Sequence, residues 1–250
     1  MPIEFLHDSI LRFMHAANKV ALYAPFWILI TAIPFLFGFG NFLLILFNFK
    51  LLSILFYFAT VLLIWKMTKS LYKTAFFALN PLVIIETLIS GHNDISMISL
   101  LLLAIYFLQE KKFGKGAIFY IFSAGIKYAT LILLPLIPIA LVKKWDTKKL
   151  FTWITILMAI IFVLSSFREE IYPWYGQWVI LPGTFLIDNK LIKYILVGLS
   201  FGLLLRYIPF MLLGTYFGPT PILKLILMTI PILVAFFFYT IKKQKMYEGH

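Results

Sequence analysis

Residues Ala75–Lys112 read AFFALNPLVIIETLISGHNDISMISLLLLAIYFLQEKK, two apolar runs joined by the polar tetrad Gly91-His92-Asn93-Asp94. Lysines bracket the block, with Lys66, Lys69 and Lys73 before it and Lys111, Lys112 and Lys115 after it. Basic residues accumulate in cytoplasmic loops of membrane proteins. With both clusters on that side, the block goes out and returns, as a helical hairpin or a pair of short broken helices. Its polar tip then approaches the outer face. Polar interruptions at membrane depth are tolerated only where they line a cavity or a protein interior. Residues 116–142 repeat the scheme: an apolar half reaches Gly125-Ile126-Lys127-Tyr128, and a second half with Pro135 and Pro138 ends in Lys143, Lys144, Lys148 and Lys149.

Composition agrees with this reading. Of 250 residues 62% are hydrophobic and only 13% charged, with a mean hydropathy of +0.98, against about 45–50% apolar and about 25% charged in a soluble domain. Too few polar residues remain to cover a water-soluble core, and disorder is excluded for the same reason. At about 20 residues per span, the chain has room for seven to nine hydrophobic segments and no sizeable soluble domain. The fold class is all-α: a polytopic transmembrane helical bundle with broken and short helices, forming one integral membrane domain over 1–250. The net charge of +12 sits in short clusters between apolar runs. That is a topology signal and an attraction for anionic headgroups rather than a nucleic-acid surface. The chain has no cysteine, which removes disulfides, thiolate metal sites and thiol catalysis.

Residues 1–22 place Ile3, Leu6, Ile10, Phe13, Met14 and Ala17 at helical spacing opposite Asp8, Arg12, Asn18 and Lys19, which suits an amphipathic juxtamembrane helix. Residues 23–241 hold the hydrophobic segments and 242–250 a basic cytoplasmic tail. Within them, 23–37 is short and interrupted by Pro34, and parity makes it non-spanning. Residues 41–65 form a clear span, 150–166 cross outward, 191–205 return, 207–217 form a short segment, and 222–241 end in Lys242, Lys243 and Lys245. With Arg206 marking a cytoplasmic turn, residues 1–22, His92–Asp94, Lys127 and 168–188 share the outer face.

Glu86 and Asp94 need partners or water, because a charge inside a membrane segment costs about 2.5–3.5 kcal/mol on insertion scales. Asp94 stands where it could simply cap the helix opening at Ile95, and its spacing from His92 also admits a metal pair. Lys127 either snorkels to the interface, fixes a lipid phosphate, or pairs with Asp94 or Glu86. The run Tyr172-Pro173-Trp174-Tyr175…Trp178 suits an interfacial aromatic belt and equally a glycolipid groove.

Four strings in order resemble a known family. Asn80-Pro-Leu-Val-Ile-Ile-Glu86 leading to Gly91-His-Asn-Asp94 is similar to a motif of the polytopic GT-C glycosyltransferases, in particular the polyprenyl-phosphate-mannose-dependent α-mannosyltransferases. Tyr23-Ala-Pro-Phe-Trp27, Gly125-Ile-Lys127-Tyr128 with Leu134-Pro135, and Pro173-Trp174-Tyr175…Trp178…Leu181-Pro182 resemble three further elements of that family. The resemblance implies transfer of a hexose, mannose in that group, from a polyprenyl-phosphate carrier to a glycan or lipid acceptor on the outer face, with inversion. A carboxylate would act as general base, and cationic or polar groups would stabilise the departing phosphate.

By the resemblance, Asp94, His92 and Asp8 are the catalytic candidates. Lys127, Asn93, Glu86, Tyr128, Trp174, Tyr175 and Trp178 are the substrate-binding ones. No cofactor and no metal site is expected, with a divalent cation as the lesser alternative, and no nucleic-acid partner. The family's acidic residue normally follows a first transmembrane helix that this sequence lacks. The expectation is therefore a front-truncated relative, or one completed by a second polypeptide supplying that helix and loop. The competing class is a non-catalytic membrane protein: a lipid-linked-sugar carrier, a scaffold subunit or an inactive relative.

Overall fold

An apolar chain in lipid has no water to satisfy its peptide groups, so the backbone must bond to itself, and the helix does this locally. The computed structural model describes residues 23–168 and 170–248; the segment 1–22, with Asp8 and the expected amphipathic helix, lies outside the described residues. Among these, the structure is helix and turn with no strand, the all-α polytopic bundle that the sequence predicts. Helix α1 spans Pro25–Leu36, α2 Phe42–Thr68, α3 Leu71–Ala78, α4 Pro81–Ile84, α5 Asp94–Gln109, α6 Phe113–Ile126, α7 Leu136–Val142 and α8 Thr147–Arg168. They are followed by α9 Gln177–Thr184, α10 Lys190–Leu205, α11 Tyr207–Leu213 and α12 Thr220–Glu248.

Four stretches are long and apolar enough to cross a membrane: Phe42–Thr68, Thr147–Phe167, Lys190–Leu213 and Thr220–Gln244. The bent pair Leu71–Ala78 and Pro81–Ile89, at 52°, makes a fifth if taken as one span. Helix α1, with twelve residues, is about 18 Å long at 1.5 Å per residue, well short of the roughly 30 Å hydrocarbon core. Helix α5 is the central element: Asp94 to Leu102 are buried without interruption, together with Ala104 and Ile105. It packs on α2, α6 and α9. A helix apolar on all sides belongs inside a bundle. Helices α2 and α12 instead turn rows such as Phe47, Leu51, Leu55, Phe58 and Leu62 outward, where acyl chains would cover them. Close packing is most evident between α10 and α12, where a Cβ at Gly198 would lie 2.7 Å from the Pro231 carbonyl oxygen.

Two ends of the bundle can be told apart by their charges. Lys50 on α2 reaches the Ile89 carbonyl beside Gly91; Thr68 stands 18 residues further along the same helix, about 27 Å away. Lys66, Lys69 and Lys73 lie at that far end. There Gln109 Nε2 also donates to Thr147 Oγ1 at 3.2 Å, joining the end of α5 to the start of α8. We call these the site face and the lysine face.

The structure corrects the expected path of the last third. Residues 168–188 do not share one face. Glu170 and Trp174 lie at the site face. From there α9 descends through the core until Lys73 Nζ meets the Phe185 carbonyl at 3.1 Å and Asp188 Oδ2 at 2.6 Å on the lysine face. Helix α10 therefore runs back toward the site face, and Arg206 ends there, bonded to Glu170 Oε1 at 2.9 Å. Residues 207–213 continue that span rather than forming a separate segment. A lone arginine read as a loop marker is here a buried, paired side chain, and no rule based on loop charge can see that.

Candidate functional site

Each element at the site face ends where its backbone is interrupted, and the sequence shows why. Asn80 caps α4 by accepting from the amides of Leu82 and Val83 at 3.0 and 3.3 Å, with Pro81 at the first helical position. An asparagine cap followed by proline is a strong helix start. The same Asn80 donates from Nδ2 to Ser200 Oγ at 2.9 Å, which ties the break to α10. After one turn the helix widens into a π-turn over Ile85–Ile89, a form that recurs at functional sites. Both Glu86 and Thr87 are fully buried there. Gly91, at φ +76°, then reverses the chain, and the His92 amide donates to the Glu86 carbonyl at 3.0 Å.

Helix α6 likewise stops at Ile126. Lys127 is extended (φ −146°, ψ 134°), and a 3₁₀ turn follows over Tyr128–Leu133. At this break Tyr120 Oη donates to Thr130 O at 2.8 Å, and Ser123 Oγ donates across to Met97 O of α5 at 2.8 Å. Helix α1 supports α6 from outside: Phe26 stacks on Phe122 at 4.2 Å, and a Cβ on Gly125 would come within 2.7 Å of Phe26 Cβ.

The two tips meet. Asp94, 0% exposed, takes Lys127 Nζ on Oδ2 at 2.7 Å and the Trp178 indole Nε1 on Oδ1 at 2.7 Å. Of the alternatives open for Lys127, pairing with Asp94 is what the structure contains, and snorkelling is not: its side chain is 18% exposed. Nor does Asp94 cap α5. Asn93 occupies the N-cap position without a side-chain cap bond, and the Asp94 carboxylate is committed to tertiary contacts. Lys127 Nζ further lies 4.9 Å from the Tyr175 ring centroid and 5.9 Å from that of Trp178, within cation–π range.

Those rings belong to one aromatic wall. Tyr175 stacks on Trp178 at 4.2 Å, Trp174 on Tyr172 at 4.5 Å, and His92 on the same Trp174 at 3.9 Å. Behind His92, Glu86 accepts from Tyr207 Oη at 2.8 Å through Oε1, while Oε2 faces His92 Nε2 at 3.5 Å. Burial, foremost, holds the His92 imidazole down at about 4; Asp94 opposes this, and Lys127 and Lys50 reinforce it. The ring is therefore neutral at physiological pH. The Tyr23 phenol, although about half of the residue is exposed, is held above its ordinary value by partial desolvation and secondarily by the Asp94 charge.

Among the described residues, five buried side-chain polar atoms have no hydrogen-bond partner. Four of these belong to Glu86 (Oε2), Asn93 (Nδ2), Ser96 (Oγ) and Gln177 (Nε2), on the segments that build this site. Buried polar groups are usually paired, so the site holds polar capacity beyond what the protein itself uses. Tyr128, expected among the binding residues, turns its ring outward and is 64% exposed. No group of three or more His, Cys, Asp or Glu side chains with metal-binding placement occurs among the described residues.

Sequence reasoning missed several members. Lys50 was an isolated charge within an apolar span, itself a signal for an interior role. Tyr207 and Gln177 carried no signal, because only the return of α10 and the entry of α9 bring them to Glu86 and Thr87; Thr87 Oγ1 donates to Gln177 Oε1 at 3.1 Å. A second ionic cluster, in which Arg206 and Lys224 share Glu170 Oε1 at 2.9 and 2.7 Å, fastens the loop after α8 to α10 and α12.

Broken helices, a buried acid–base pair and an aromatic wall at one end define a polytopic helical membrane protein with a polar site at the site face. Residues 15–143 match the family model described as alpha-(1->6)-mannopyranosyltransferase, N-terminal domain. The match covers more than half of the chain, and the chain belongs to that family. It takes in Glu86, His92, Asp94 and Lys127 and stops before the aromatic wall. No curated protein and no solved structure matches.

Proposed function

We propose that the protein transfers mannose from a polyprenyl-phosphate carrier to an acceptor hydroxyl at the site face, with inversion, and that the site face is the outer one. The observation that carries this reading is the meeting of the Asp94–Lys127 pair with two aromatic stacks from separate segments. Indole and phenol faces suit the apolar face of a sugar or a prenyl chain. Lys127 and Lys50, the two cations whose charges act on His92, suit a departing phosphate, since fixed cations stabilise charge that develops on a leaving group. Family membership supports the sugar and the reaction type. Carrier, stereochemistry, acceptor and sidedness rest on the resemblance of the four strings and on the placement of the lysines. Asp94 has both oxygens bonded, so in this reading it orients Lys127 and Trp178 rather than taking the acceptor proton.

The test is mannose transfer from polyprenyl-phosphate mannose to a mannoside acceptor by the chain in proteoliposomes. We expect transfer by the wild type and a loss of at least tenfold in Lys50→Ala. Wild-type vesicles that move the lipid-linked sugar without forming product would favour the carrier reading. The occupied oxygens of Asp94 are the one observation on that side, because a fully satisfied pair also suits a purely structural lock.

A further inference from the structure

We propose that the turn between α7 and α8 is a binding site for the phosphate headgroup of an anionic phospholipid, at the lysine face and so at the opposite end of the bundle from the polar site. This inference stands apart from the transferase reading. Helix α7 ends at Val142, and the chain then reverses through Lys143 and Lys144, the latter in the left-handed region at φ +48°. Three backbone bonds hold the turn. The amides of Lys143, Lys144 and Trp145 donate to the carbonyls of Ile139, Leu141 and Ala140 at 3.0, 3.2 and 3.0 Å. Asp146 then caps α8, its Oδ1 accepting from the Lys149 amide at 2.8 Å. Lysines from both sides of the turn, Lys143, Lys144, Lys148 and Lys149, thereby line one recess of about 420 Å³ together with Trp145 and Asp146. That volume lies within the range of about 300–1,000 Å³ usual for small-ligand sites.

The recess gathers four cations against one carboxylate, and that carboxylate is committed to the helix cap. Elsewhere Lys73, Lys112, Lys127 and Lys224 each have an acidic partner. Among the described residues, none of the four recess lysines has one; Lys149 instead places its Nζ 5.0 Å from the Trp145 ring centroid. The positive end of the α8 dipole adds to the same field. Like charges held around one recess repel, so an anion that enters relieves the repulsion. Its chemistry is that of a phosphate, and what lies beside the recess makes lipid the source. Trp153, Ile156 and Ile160 follow at steps of three and four residues along one side of α8 and are exposed, and Val142 beside them is 82% exposed. Trp145 stacks on Trp153 at 6.3 Å, and indoles favour the level of the headgroups. A phosphodiester seated among the lysines would thus have its acyl chains along that apolar row.

The experiment titrates the full chain in neutral detergent with phosphatidylglycerol or phosphatidylcholine and counts bound lipid by native mass spectrometry. Each basic side chain near an anionic surface is worth about fivefold in affinity. We expect the wild type to bind one phosphatidylglycerol at least tenfold more tightly than phosphatidylcholine. The fourfold variant Lys143→Gln, Lys144→Gln, Lys148→Gln and Lys149→Gln should lose that preference, and arginine at the same four positions should keep it. A control with equal loss of charge on the same face, Lys69→Gln, Lys111→Gln, Lys242→Gln and Lys243→Gln, should also keep it. Melting temperatures of the two glutamine variants without added lipid, expected near wild type, separate lost binding from misfolding. No preference in the wild type, or a preference that survives the recess variant, overturns the site. Equal loss in both glutamine variants overturns it in favour of diffuse surface charge. Displacement of the lipid by millimolar inorganic phosphate overturns the lipid as occupant in favour of a soluble anion.

Discussion

The Asp94–Lys127 pair offers the most decisive test of the packing argument. Asp94 is wholly buried and Lys127 largely so, with 2.7 Å between the charged atoms and a second 2.7 Å bond from Trp178. Removing one partner of such a pair leaves an uncompensated charge among apolar groups, at a cost of about 3–5 kcal/mol. Replacing both with neutral groups removes the penalty along with the attraction and is often close to neutral. We therefore expect Asp94→Asn and Lys127→Met each to destabilise by about 3–4 kcal/mol, toward the lower part of that range because Lys127 keeps some access to water. The double variant should lose less than either single change, a coupling at or beyond the top of the about 0.5–3 kcal/mol usual for residues in contact. For a chain of this size about 1 kcal/mol corresponds to about 2–4 °C, so each single change should lower the melting temperature in detergent by about 6–16 °C. Single variants within 2 °C of wild type, or strict additivity in the double variant, would refute the claim that the pair is dry and coupled.

Trp178→Phe keeps the ring stack with Tyr175 but removes the indole donor to Asp94; we expect a loss of about 1.5–3 kcal/mol, the range for a bond to a charged group, read in the same melting assay. His92 gives stability a direction with pH: its folded-state value is depressed from 6.5 to about 4, so its contribution is present above 6.5 and is lost as pH falls toward 4. The slope of melting temperature over that window should flatten in His92→Gln, and an unchanged slope would exclude the residue as its source. Because the sequence has no cysteine, single cysteines report the path of the chain directly. Asp188→Cys should label from the same face as Lys144→Cys, and Phe217→Cys from the opposite one, with a membrane-impermeant maleimide.

Much of this protein is legible before any coordinates. Composition together with long, non-alternating apolar runs points to a multispan helical bundle, since lipid offers backbone groups no water and a helix satisfies them within its own run. The breaks at Asn80-Pro81, Gly91 and Lys127 are visible as polar or conformational interruptions of apolar runs. Local sequence also brings out Glu86, His92, Asp94 and Lys127 as charges or polar groups that an apolar run does not accommodate without partners. The pairings are not local. Asp94 could have capped its own helix, and Lys127 could have reached the interface; the choice depended on two chain breaks, 33 residues apart, arriving at the same depth. The turn of α9 through the core, the arrival of Tyr207 at Glu86 and the buried place of Arg206 were hidden for the same reason. Charge counting reports which end of a span faces which side, but a short helix buried among other helices answers to packing. In a medium without water, each buried polar atom is stabilised by whichever partner the packed helices bring within about 3 Å, and that is decided only when the whole bundle has closed.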